Sequence, residues 1–594
     1  MPAFRQQTTI NEGGKRCDPL HRIEKRDGMI VEWDVPIIAN DGLVLRADIF
    51  RPDGDARFPV ILTYGPYGKG LAFQDGNASA WTRMTQAFPD TAAGSSNLYQ
   101  IWEVPDPEKW VPDDYVIIRV DSRGAGRSPG FLDPWSPREA QDIYDCIEWA
   151  AAQPWSNGKV GMNGISYFAM NQWYAAALQP PHLAAICVWE GAADYYRDVF
   201  RHGGIYSQFF ENLYPRAILR VQHGLGERGL RSRVTGDLVS GPETLSDAEL
   251  AANRVAVDEW ALKRPLDSQD YRDRSPDWSR VTVPVLSAAN WGGQGLHTRG
   301  NFEGYLECAS QEKWLEVHGE AHWVHFYTDY GVSLQKRFLG HFLKGEDTGW
   351  SAQPKVLLQV RHVDRFVPRA EREWPLARTL WTKFYLHPDG KTLGADEPKR
   401  TGRLTYEAMG ENLLFLTAPF TQETEITGPI SAKIMLSSST TDADLFLVLR
   451  VFDLGGKEVT FHGSNDPRTP VGIGWLRASH RKLDPSLTTP YRPYHTHDEV
   501  QPLIPGEPVE LDVEIWPTSI VVPVGFRLGL AVRGKDYHCD GPPLAIPGVK
   551  YTLTGVGPFL HERAEDRPPA IFANRHTLHF EPGRMPYVLL PLIP

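Results

Sequence analysis

The sequence predicts an α/β domain with a mostly parallel sheet, a helical insertion within it, and a separate all-β domain after it. Three observations support this fold class. Strand and helix patterns alternate over residues 1–194 and 280–348. Residues 195–279 between them show amphipathic helical patterns without strand signals. Residues 349–594 contain short β-rich runs separated by Pro and Gly turns, which indicates a β-sandwich of the jelly-roll type.

The elements of the α/β part follow from local patterns. Two β-rich runs around Asn40-Asp41-Gly42 predict a hairpin, because Asp-Gly supplies the turn chemistry. Several later runs are nearly continuous in apolar residues, as in strands buried on both faces: FPVILTYG, DYVIIRVD, LAAICVW, VPVLSAAN and KWLEVH. The run SPREAQDIYDCIEWAAAQ has apolar residues at helical spacing after an early acidic residue, so it predicts a helix. The inserted helices would cover the C-terminal edge of the sheet, where pockets form.

Composition narrows the possible partners. The 594 residues are 41% hydrophobic and 23% charged, as in a globular protein. A net charge of −12 and a pI near 5.9 argue against nucleic-acid binding, which needs a basic face. We find no secretory signal and no run near the ~18 apolar residues of a membrane span, so we expect a cytoplasmic protein without membrane contact. The five scattered cysteines predict reduced thiols and no metal site.

Ser166 is the first candidate for chemistry. The run Gly164-Ile165-Ser166-Tyr167-Phe168 has the first glycine and the serine of a nucleophile elbow, G-x-S-x-G, but ends in phenylalanine. A strand precedes it and the helical pattern FAMNQWYAAALQ follows, which is the context an exposed catalytic serine needs. The alternative is an ordinary serine N-cap at the start of a helix.

The sequence also predicts two hydrogen-bond donors for the oxyanion that forms when a serine attacks a carbonyl group. The loop TYGPYGKG follows the strand after which hydrolases of this kind place their second oxyanion donor. We predict that the Tyr67 hydroxyl acts there together with the backbone N–H of Tyr167, the residue after the nucleophile. The alternative for Tyr67 is packing of a surface-turn tyrosine on Pro66.

Three histidines and a glutamate in VHGEAHWVH raise the question of a metal site. His318 ends a strand and Gly319 interrupts the segment, so the helical i, i+4 pair of zinc proteases does not form. A histidine in the loop after the last core strand is where an α/β-hydrolase carries its general base. His322 is best placed for that role, and we expect His318 and His325 to be structural.

Dispersed motifs make the sequence similar to the cocaine esterase / X-prolyl dipeptidyl-peptidase family, the CocE/NonD or S15 hydrolases. The matching segments include ANDGLVLRADIFRP, GPYGK, VDSRGAGRSPG, EWAAAQPWSNGKVGMNGISY, WEGAADYYRD, RSPDWSRVTVPVL, ADLFLVLRVFD and GWLRASHRKLD. The resemblance implies an α/β-hydrolase domain with a helical cap and a C-terminal jelly-roll. It also implies Ser166 as nucleophile, His322 as base and Tyr67 as oxyanion donor, in an enzyme acting on esters or amides.

The sequence departs from the family pattern at two places. The family elbow resembles G-x-S-Y-x-G, so Phe168 is ordinary and the departure is Ala169, which is still small. The family also carries W-x-D after the strand that precedes the histidine strand, whereas this sequence has NWGGQG, with Gly293 at the aspartate position. A triad histidine without a carboxylate loses control of its tautomer and stabilisation of its charged form.

Three other carboxylates are candidates for the triad acid. Glu190 directly follows the strand LAAICVW, and α/β-hydrolases are known to carry the acid at that position. Glu303 lies a helix length beyond Gly293, and Asp194 lies at the cap entrance, where a structural role is expected. We predict Glu190, with pairing to an arginine such as Arg197 as the alternative.

The remaining expectations concern substrate and assembly. Trp189 and Tyr195 are candidates for substrate contact near the cap entrance. We expect a small ester or amide substrate, no cofactor, and a homodimer or larger oligomer. Ester cleavage through an acyl-enzyme is the leading function, beside amide or peptide cleavage, acyl transfer, and a non-catalytic binding protein on a degenerate scaffold, for which Gly293 is the main argument.

Overall fold

An eleven-stranded sheet forms the α/β part of the chain, in a computed structural model that describes residues 9–10, 16–549 and 551–594. In chain order its strands are β1 (Arg22–Arg26), β2 (Met29–Ile38), β3 (Val44–Arg51), β4 (Phe58–Gly65), β5 (Val116–Asp121), β6 (Ser156–Ile165), β7 (Leu183–Trp189), β8 (Val285–Asn290), β9 (Lys313–His318), β10 (Val356–Arg361) and β11 (Phe366–Glu371). Their spatial order is β11-β10-β9-β8-β7-β6-β4-β5-β3-β2-β1. Strands β4 to β10 pair in parallel, and the strands outside them are antiparallel. Two further two-residue ribbons join Thr9–Ile10 to Arg16–Cys17 and Arg201–His202 to Ile205–Tyr206.

The α-helices of the described chain connect these strands, apart from the last one. They are α1 (Phe73–Gly76), α2 (Ala78–Ala87), α3 (Pro107–Trp110), α4 (Pro137–Ala151), α5 (Tyr167–Ala177), α6 (Phe209–Leu213), α7 (Asp247–Ala252), α8 (Val257–Leu262), α9 (Gln269–Arg272), α10 (Thr298–Glu307), α11 (Val324–Tyr327), α12 (Asp329–Leu339) and α13 (Pro569–Phe572). The predicted helix after β5 is α4, whose Ser136 N-cap accepts a hydrogen bond from the Glu139 N–H.

Helices cover both faces of the central sheet, which explains its continuous apolar strands. Every residue of β4 is buried. Because strand side chains alternate, Val60 and Leu62 pack in one cluster with Ile143 of α4, whereas Ile61 packs in another with Leu339 of α12. A strand that is buried on both faces has apolar side chains on both, which is the continuous apolar pattern of its sequence. The α/β-hydrolase architecture expected from the sequence is confirmed.

The helical insertion lies between β7 and β8, but its helices are shorter than the sequence pattern suggests. The insertion begins with one π-helical turn, Tyr195–Phe200. A two-residue ribbon follows, in which Arg201–His202 pairs with Ile205–Tyr206. The ribbon turns at Gly203 and Gly204, whose φ angles are 54° and 92°. A left-handed backbone of this kind interrupts a helix, so local apolar spacing overestimates helix length here.

The sheet extends past the predicted domain boundary at residue 348. Strand β10 pairs in parallel with β9, and β11 pairs with β10. The sequence run KVLLQVR, here in β10, falls within residues 349–594, which the sequence predicts as one all-β domain. A β pattern reports burial and not which sheet the strand joins.

The C-terminal part is all-β, as expected. Its strands are β12 (Leu380–His387), β13 (Thr392–Gly394), β14 (Gly402–Glu407), β15 (Leu413–Leu416), β16 (Thr424–Ser438), β17 (Asp444–Phe452), β18 (Glu458–Val459), β19 (Gly472–Arg477), β20 (Val509–Val522), β21 (Arg527–Arg533), β22 (Arg575–Phe580) and β23 (Tyr587–Ile593). The last strand, β23, pairs with both β12 and β16, so the strand order closes on itself. The interior between the strands is filled by aliphatic side chains such as Leu447 and Val513.

A buried ion cluster anchors the loop after β4. The Lys69 ammonium lies 2.8 Å from Asp34 Oδ1 and 2.6 Å from Asp48 Oδ1, and all three side chains are buried. The Lys69 N–H also donates to Asp121 Oδ1 at 2.6 Å. The loop that carries Tyr67 is therefore held to three strands, β2, β3 and β5.

We predict that Lys69→Met destabilises the protein by about 3–5 kcal/mol, because it leaves the Asp48 carboxylate buried without its cation, whereas Asp34 keeps Arg127 at 2.7 Å. Chemical denaturation followed by circular dichroism measures the loss. The matched control is Lys25→Met, which removes an exposed ion pair with Asp53 and should cost less than about 1 kcal/mol. Equal losses in the two variants would contradict a stabilising role for the buried cluster.

Candidate active site

Ser166 lies at the sharp turn between β6 and α5. Its φ and ψ are 58° and −114°, a conformation that non-glycine residues rarely adopt. The turn is held in place because the Ser166 N–H lies 3.1 Å from the Trp189 carbonyl oxygen and 3.2 Å from that of Glu190. A strained serine between a strand and the N-terminus of a helix is the geometry of a nucleophile elbow.

Complementary small residues allow this elbow to end in phenylalanine. A Cβ atom added to Gly164 would lie 2.5 Å from Phe168 Cβ, and one added to Gly65 would lie 2.5 Å from Phe168 Cε1. Ala169 packs against Gly191 in the same way: a Cβ atom added to Gly191 would lie 2.9 Å from the Ala169 methyl group. Glycines on neighbouring segments thus provide the space that a glycine in the helix would otherwise provide.

His322 is held by Glu190. The imidazole Nδ1 lies 2.8 Å from Glu190 Oε2, and both side chains are buried. Glu190 follows β7 directly, with φ of 47°, and its N–H donates to the Ala288 carbonyl oxygen at 2.7 Å. Ser166 and His322 are thus both tied to Glu190, one through its carbonyl oxygen and the other through its carboxylate. Glu190 thereby fixes the orientation of the imidazole relative to the turn that carries Ser166.

The other two candidate acids lie elsewhere. Glu303 on α10 forms an ion pair with Arg492 at 2.8 Å. Asp194 caps the Tyr195–Phe200 turn and forms an ion pair with Arg197 at 2.8 Å, so this arginine does not neutralise Glu190. Of the three carboxylates proposed from sequence, Glu190 is the one hydrogen-bonded to His322.

The glycines of NWGGQG serve the contact between the two domains. Gly293 sits in the turn into α10, where its N–H donates to the Asn290 carbonyl oxygen at 3.0 Å. A Cβ atom on the preceding Gly292 would lie 2.5 Å from Gly463 Cα of the C-terminal domain. This close approach brings Ser464 to the site: its hydroxyl donates to Glu190 Oε2 at 3.2 Å and its carbonyl oxygen accepts the His322 N–H at 3.2 Å.

Glu103 is a site residue that the sequence analysis missed. Its Oε1 lies 3.2 Å from His322 Nε2, and its carbonyl oxygen accepts the Ile165 N–H beside Ser166 at 3.0 Å. Among the described residues, Oε2 of this buried carboxylate has no hydrogen-bond partner. Glu103 lies in an irregular stretch, QIWEVPDPEKW, without a recognisable motif. Only its place before the buried Pro107–Trp110 helix could have drawn attention to it.

The two carboxylates on His322 have opposite pKa shifts. Burial raises the pKa of Glu103 above its usual range, against the effect of His322. Burial also opposes ionisation of Glu190, but His322 and His318 hold its pKa well below the ordinary value. Burial disfavours the charged form of His322, yet the two carboxylates raise its pKa to about 10. In the resting site His322 is therefore an imidazolium between two acceptors.

Tyr67 and Tyr167 lie beside the serine. The Tyr67 ring stacks on Trp102 with ring centroids 5.5 Å apart and lies edge-on to the ring of Tyr167, the residue after Ser166, at 5.9 Å. Burial raises the pKa of Tyr67 well above its ordinary value, so the hydroxyl keeps its proton. The Tyr167 side chain points away, because its hydroxyl donates to Glu139 Oε2 at 2.5 Å. Its backbone N–H is in the first turn of α5, where helical N–H groups lack a partner within the helix.

The two predicted substrate-contact residues are both packed against other aromatic rings. Trp189 is fully buried and stacks on His318, with ring centroids 5.1 Å apart. Tyr195 belongs to the aromatic cluster under the insertion that also contains Tyr67. Contact of either with substrate stays a prediction.

The described residues contain no arrangement for a metal ion and no helix that could cross a membrane. Residues 9–10, 16–549 and 551–594 hold no group of three or more His, Cys, Asp or Glu side chains arranged for a metal ion. Over the same ranges no helix has the length and apolar character needed to cross a membrane. The four cysteines whose side chains are described are buried and unbridged: Cys146, Cys187, Cys308 and Cys539.

Comparison with known proteins agrees with this architecture. Residues 41–327 match the model of the X-Pro dipeptidyl-peptidase (S15 family), and residues 348–589 match the X-Pro dipeptidyl-peptidase C-terminal non-catalytic domain. The chain is 24% identical to a cocaine esterase from Rhodococcus sp. (strain MB1 Bresler), over 95% of this chain and 98% of that protein. A crystal structure of a CocE/NonD family hydrolase from Staphylococcus aureus is 30% identical, with a TM-score of 0.83 over 100% of this chain and 99% of that one. A putative Xaa-Pro dipeptidyl-peptidase from Streptomyces avermitilis is 23% identical over 85% of this chain and 78% of that protein.

We predict that Glu190→Gln lowers kcat by roughly 10⁴-fold, because an amide neither stabilises the imidazolium nor selects the correct tautomer. Initial rates on a p-nitrophenyl ester measure the loss. Glu303→Gln is the matched control and should keep kcat within a few-fold, since that carboxylate pairs with Arg492. Full kcat in Glu190→Gln would show that another group acts as the acid.

Proposed function

Since this chain belongs to the CocE/NonD family of hydrolases, we propose that it is a serine esterase that cleaves carboxylic esters through an acyl-enzyme. Its named relatives are esterases and dipeptidyl-peptidases, so its activity is hydrolysis of ester or amide bonds. The observation that carries the finer proposal is the carboxylate–imidazole pair of Glu190 and His322, because the Glu190 carbonyl oxygen also accepts the N–H of the elbow Ser166.

In the proposed reaction the neutral form of His322 is the active one. Once the resting imidazolium has lost its Nε2 proton, Ser166 Oγ attacks the ester carbonyl while His322 Nε2 accepts the hydroxyl proton. Glu190 stabilises the imidazolium that forms. The negative charge on the tetrahedral oxygen is accepted by the Tyr67 hydroxyl and the Tyr167 N–H. Collapse expels the alcohol, which takes its proton from His322. Water then attacks the acyl-enzyme with His322 as base, and this second step releases the acid and restores Ser166.

Two other functions predicted from sequence have less support. The idea of a non-catalytic binding protein rested on the missing acid at Gly293, but Glu190 occupies the acid's place on His322. Acyl transfer would use the same residues, and we find no feature of the described site that favours it over hydrolysis.

We expect a fluorophosphonate probe to label the wild-type protein stoichiometrically and to leave Ser166→Ala unlabelled. Tyr67→Phe should remain folded and lower kcat on a p-nitrophenyl ester by about 10²–10³-fold, because one oxyanion donor is lost. The control Tyr144→Phe changes a partly exposed tyrosine on α4 and should leave kcat unchanged. A wild-type protein that never reacts with the probe would refute the esterase proposal.

One observation favours a second candidate, hydrolysis of esters or amides that carry an amino group near the scissile carbonyl. Glu103 presents a buried carboxylate oxygen without a described partner. The site also has an excess of acidic groups, since Glu103, Glu190 and Glu316 face two imidazoles, His318 and His322. A substrate ammonium beside Glu103 would offset this charge and release His322 Nε2 to act as the base.

If this second candidate is right, the protein should prefer aminoacyl p-nitrophenyl esters to p-nitrophenyl acetate. Glu103→Gln should lower kcat/KM on the aminoacyl ester about 10- to 100-fold more than on p-nitrophenyl acetate, which is the size of a lost hydrogen bond to a charge. Its effect on the pKa of His322 is common to both substrates. Glu320→Gln is the matched control, because that carboxylate is on the same loop as His322 but faces His462 at 3.8 Å. Equal effects of Glu103→Gln on both substrates would exclude amine recognition.

A further inference from the structure

A second imidazole–carboxylate pair lies behind Glu190 and has no part in the proposed reaction. His318 Nε2 is 3.1 Å from Glu190 Oε1, and His318 Nδ1 is 2.7 Å from Glu316 Oε2. The half-buried Tyr330 hydroxyl donates to Glu316 Oε1 at 3.1 Å. Five side chains therefore form one hydrogen-bonded line: His322, Glu190, His318, Glu316 and Tyr330.

Strand geometry builds this line. Glu316 and His318 are two residues apart in β9, so their side chains lie on the same face. In the parallel register, Asn290 at the end of β8 is opposite His318, and its amide donates to Glu190 Oε1 at 3.3 Å. Stacking on Trp189 fixes the plane of the His318 ring. The position and orientation of His318 are thus set by two strands and one aromatic ring.

The charges of His318 and Glu316 favour the ionised form of Glu190, the proposed triad acid. Burial disfavours the charged form of His318, but Glu316 and Glu190 raise its pKa to about 9, so it is cationic at neutral pH. His318 then gives Glu190 a charged donor, while Glu316 cancels the added positive charge. Other titratable groups around the two imidazoles come from α10, α11 and the loop before α3: His297, His325 and Glu103. Burial lowers the pKa of His325 to about 3 and that of His297 well below its ordinary value, so both are neutral.

We propose that His318 and Glu316 are positioning residues of this enzyme: His318 holds the Glu190 carboxylate ionised and directed at His322, and Glu316 holds His318 and balances its charge. This inference rests on the proposed esterase function. It explains how an acid that directly follows β7, with no arginine or lysine of the described chain bonded to it, is kept as an anion inside the protein. A buried carboxylate without such partners would be neutralised.

His318→Gln tests the proposal, because the introduced amide keeps a donor near the Nε2 position and loses the charge. The net charge of the pair falls from zero to −1, so the pKa of His322 rises and its neutral form appears only at higher pH. We expect the acid limb of the kcat/KM profile to move up by about one pH unit. We also expect about 10-fold lower kcat/KM at the optimum, the usual scale for partners that orient a reacting histidine.

The double variant His318→Gln/Glu316→Gln restores a net charge of zero and should return the acid limb to its wild-type position. His325→Gln is the matched control: its ring centroid lies 5.2 Å from that of His318, but it is neutral and should not move the limb. Tyr330→Phe, which removes only the outer donor, should shift the limb less than His318→Gln and keeps the test usable if His318→Gln fails to fold.

An acid limb that stays unmoved in His318→Gln, or one that moves and does not return in the double variant, overturns the inference. Thermal unfolding of each variant separates loss of fold from loss of positioning. Fluorophosphonate labelling of the wild-type protein is scored separately. No labelling refutes the esterase proposal itself, whereas labelling with unchanged variant profiles refutes only the role of His318 and Glu316.

Discussion

The hydrogen bond between Glu190 and His322 is the contact on which the arrangement of the site depends. The carboxylate starts at the end of β7, and the histidine follows β9, so the bond must pass the end of β8. A glutamate has the reach to do this, and β8 ends in Asn290, which donates to the carboxylate instead of blocking it. A buried ionised carboxylate is stable only when several hydrogen-bond donors surround it. Asn290, His318 and Ser464 are such donors to Glu190.

Glu103 and Glu190 are both hydrogen-bonded to the His322 imidazole, but their surroundings shift their pKa values in opposite directions. Glu190 accepts hydrogen bonds from four side chains, including His322, and is stabilised as an anion. Glu103 is buried with one oxygen unpartnered among the described residues, which raises its pKa. Environments that separate the pKa values of neighbouring acids usually separate their roles as well. Glu190 is suited to support His322 as an anion, whereas Glu103 keeps one oxygen without a partner among the described residues.

Local pattern predicted the elements that lie in the sheet and the residues at their ends. Ser166, Glu190 and His322 each follow a core strand, so a strand assignment was enough to place them at one edge. Glu103 and Ser464 lie in irregular loops, and their arrival at His322 depends on chain contacts 219 and 142 residues away in sequence. Periodicity carries no information on such contacts. For the same reason it assigned β10 to the wrong sheet while identifying it correctly as a strand.

The contact between Gly292 and Gly463 has a consequence for how this chain can evolve. Gly292 cannot gain a side chain without separating the two loops, and separation would withdraw Ser464 from both Glu190 and His322. The C-terminal domain therefore contributes directly to the surroundings of Glu190 and His322. If the C-terminal domain were exchanged for the equivalent domain of a relative, each domain would keep its fold, but the contact between them would be lost. Recombination within this family should therefore conserve the pairing of the two domains.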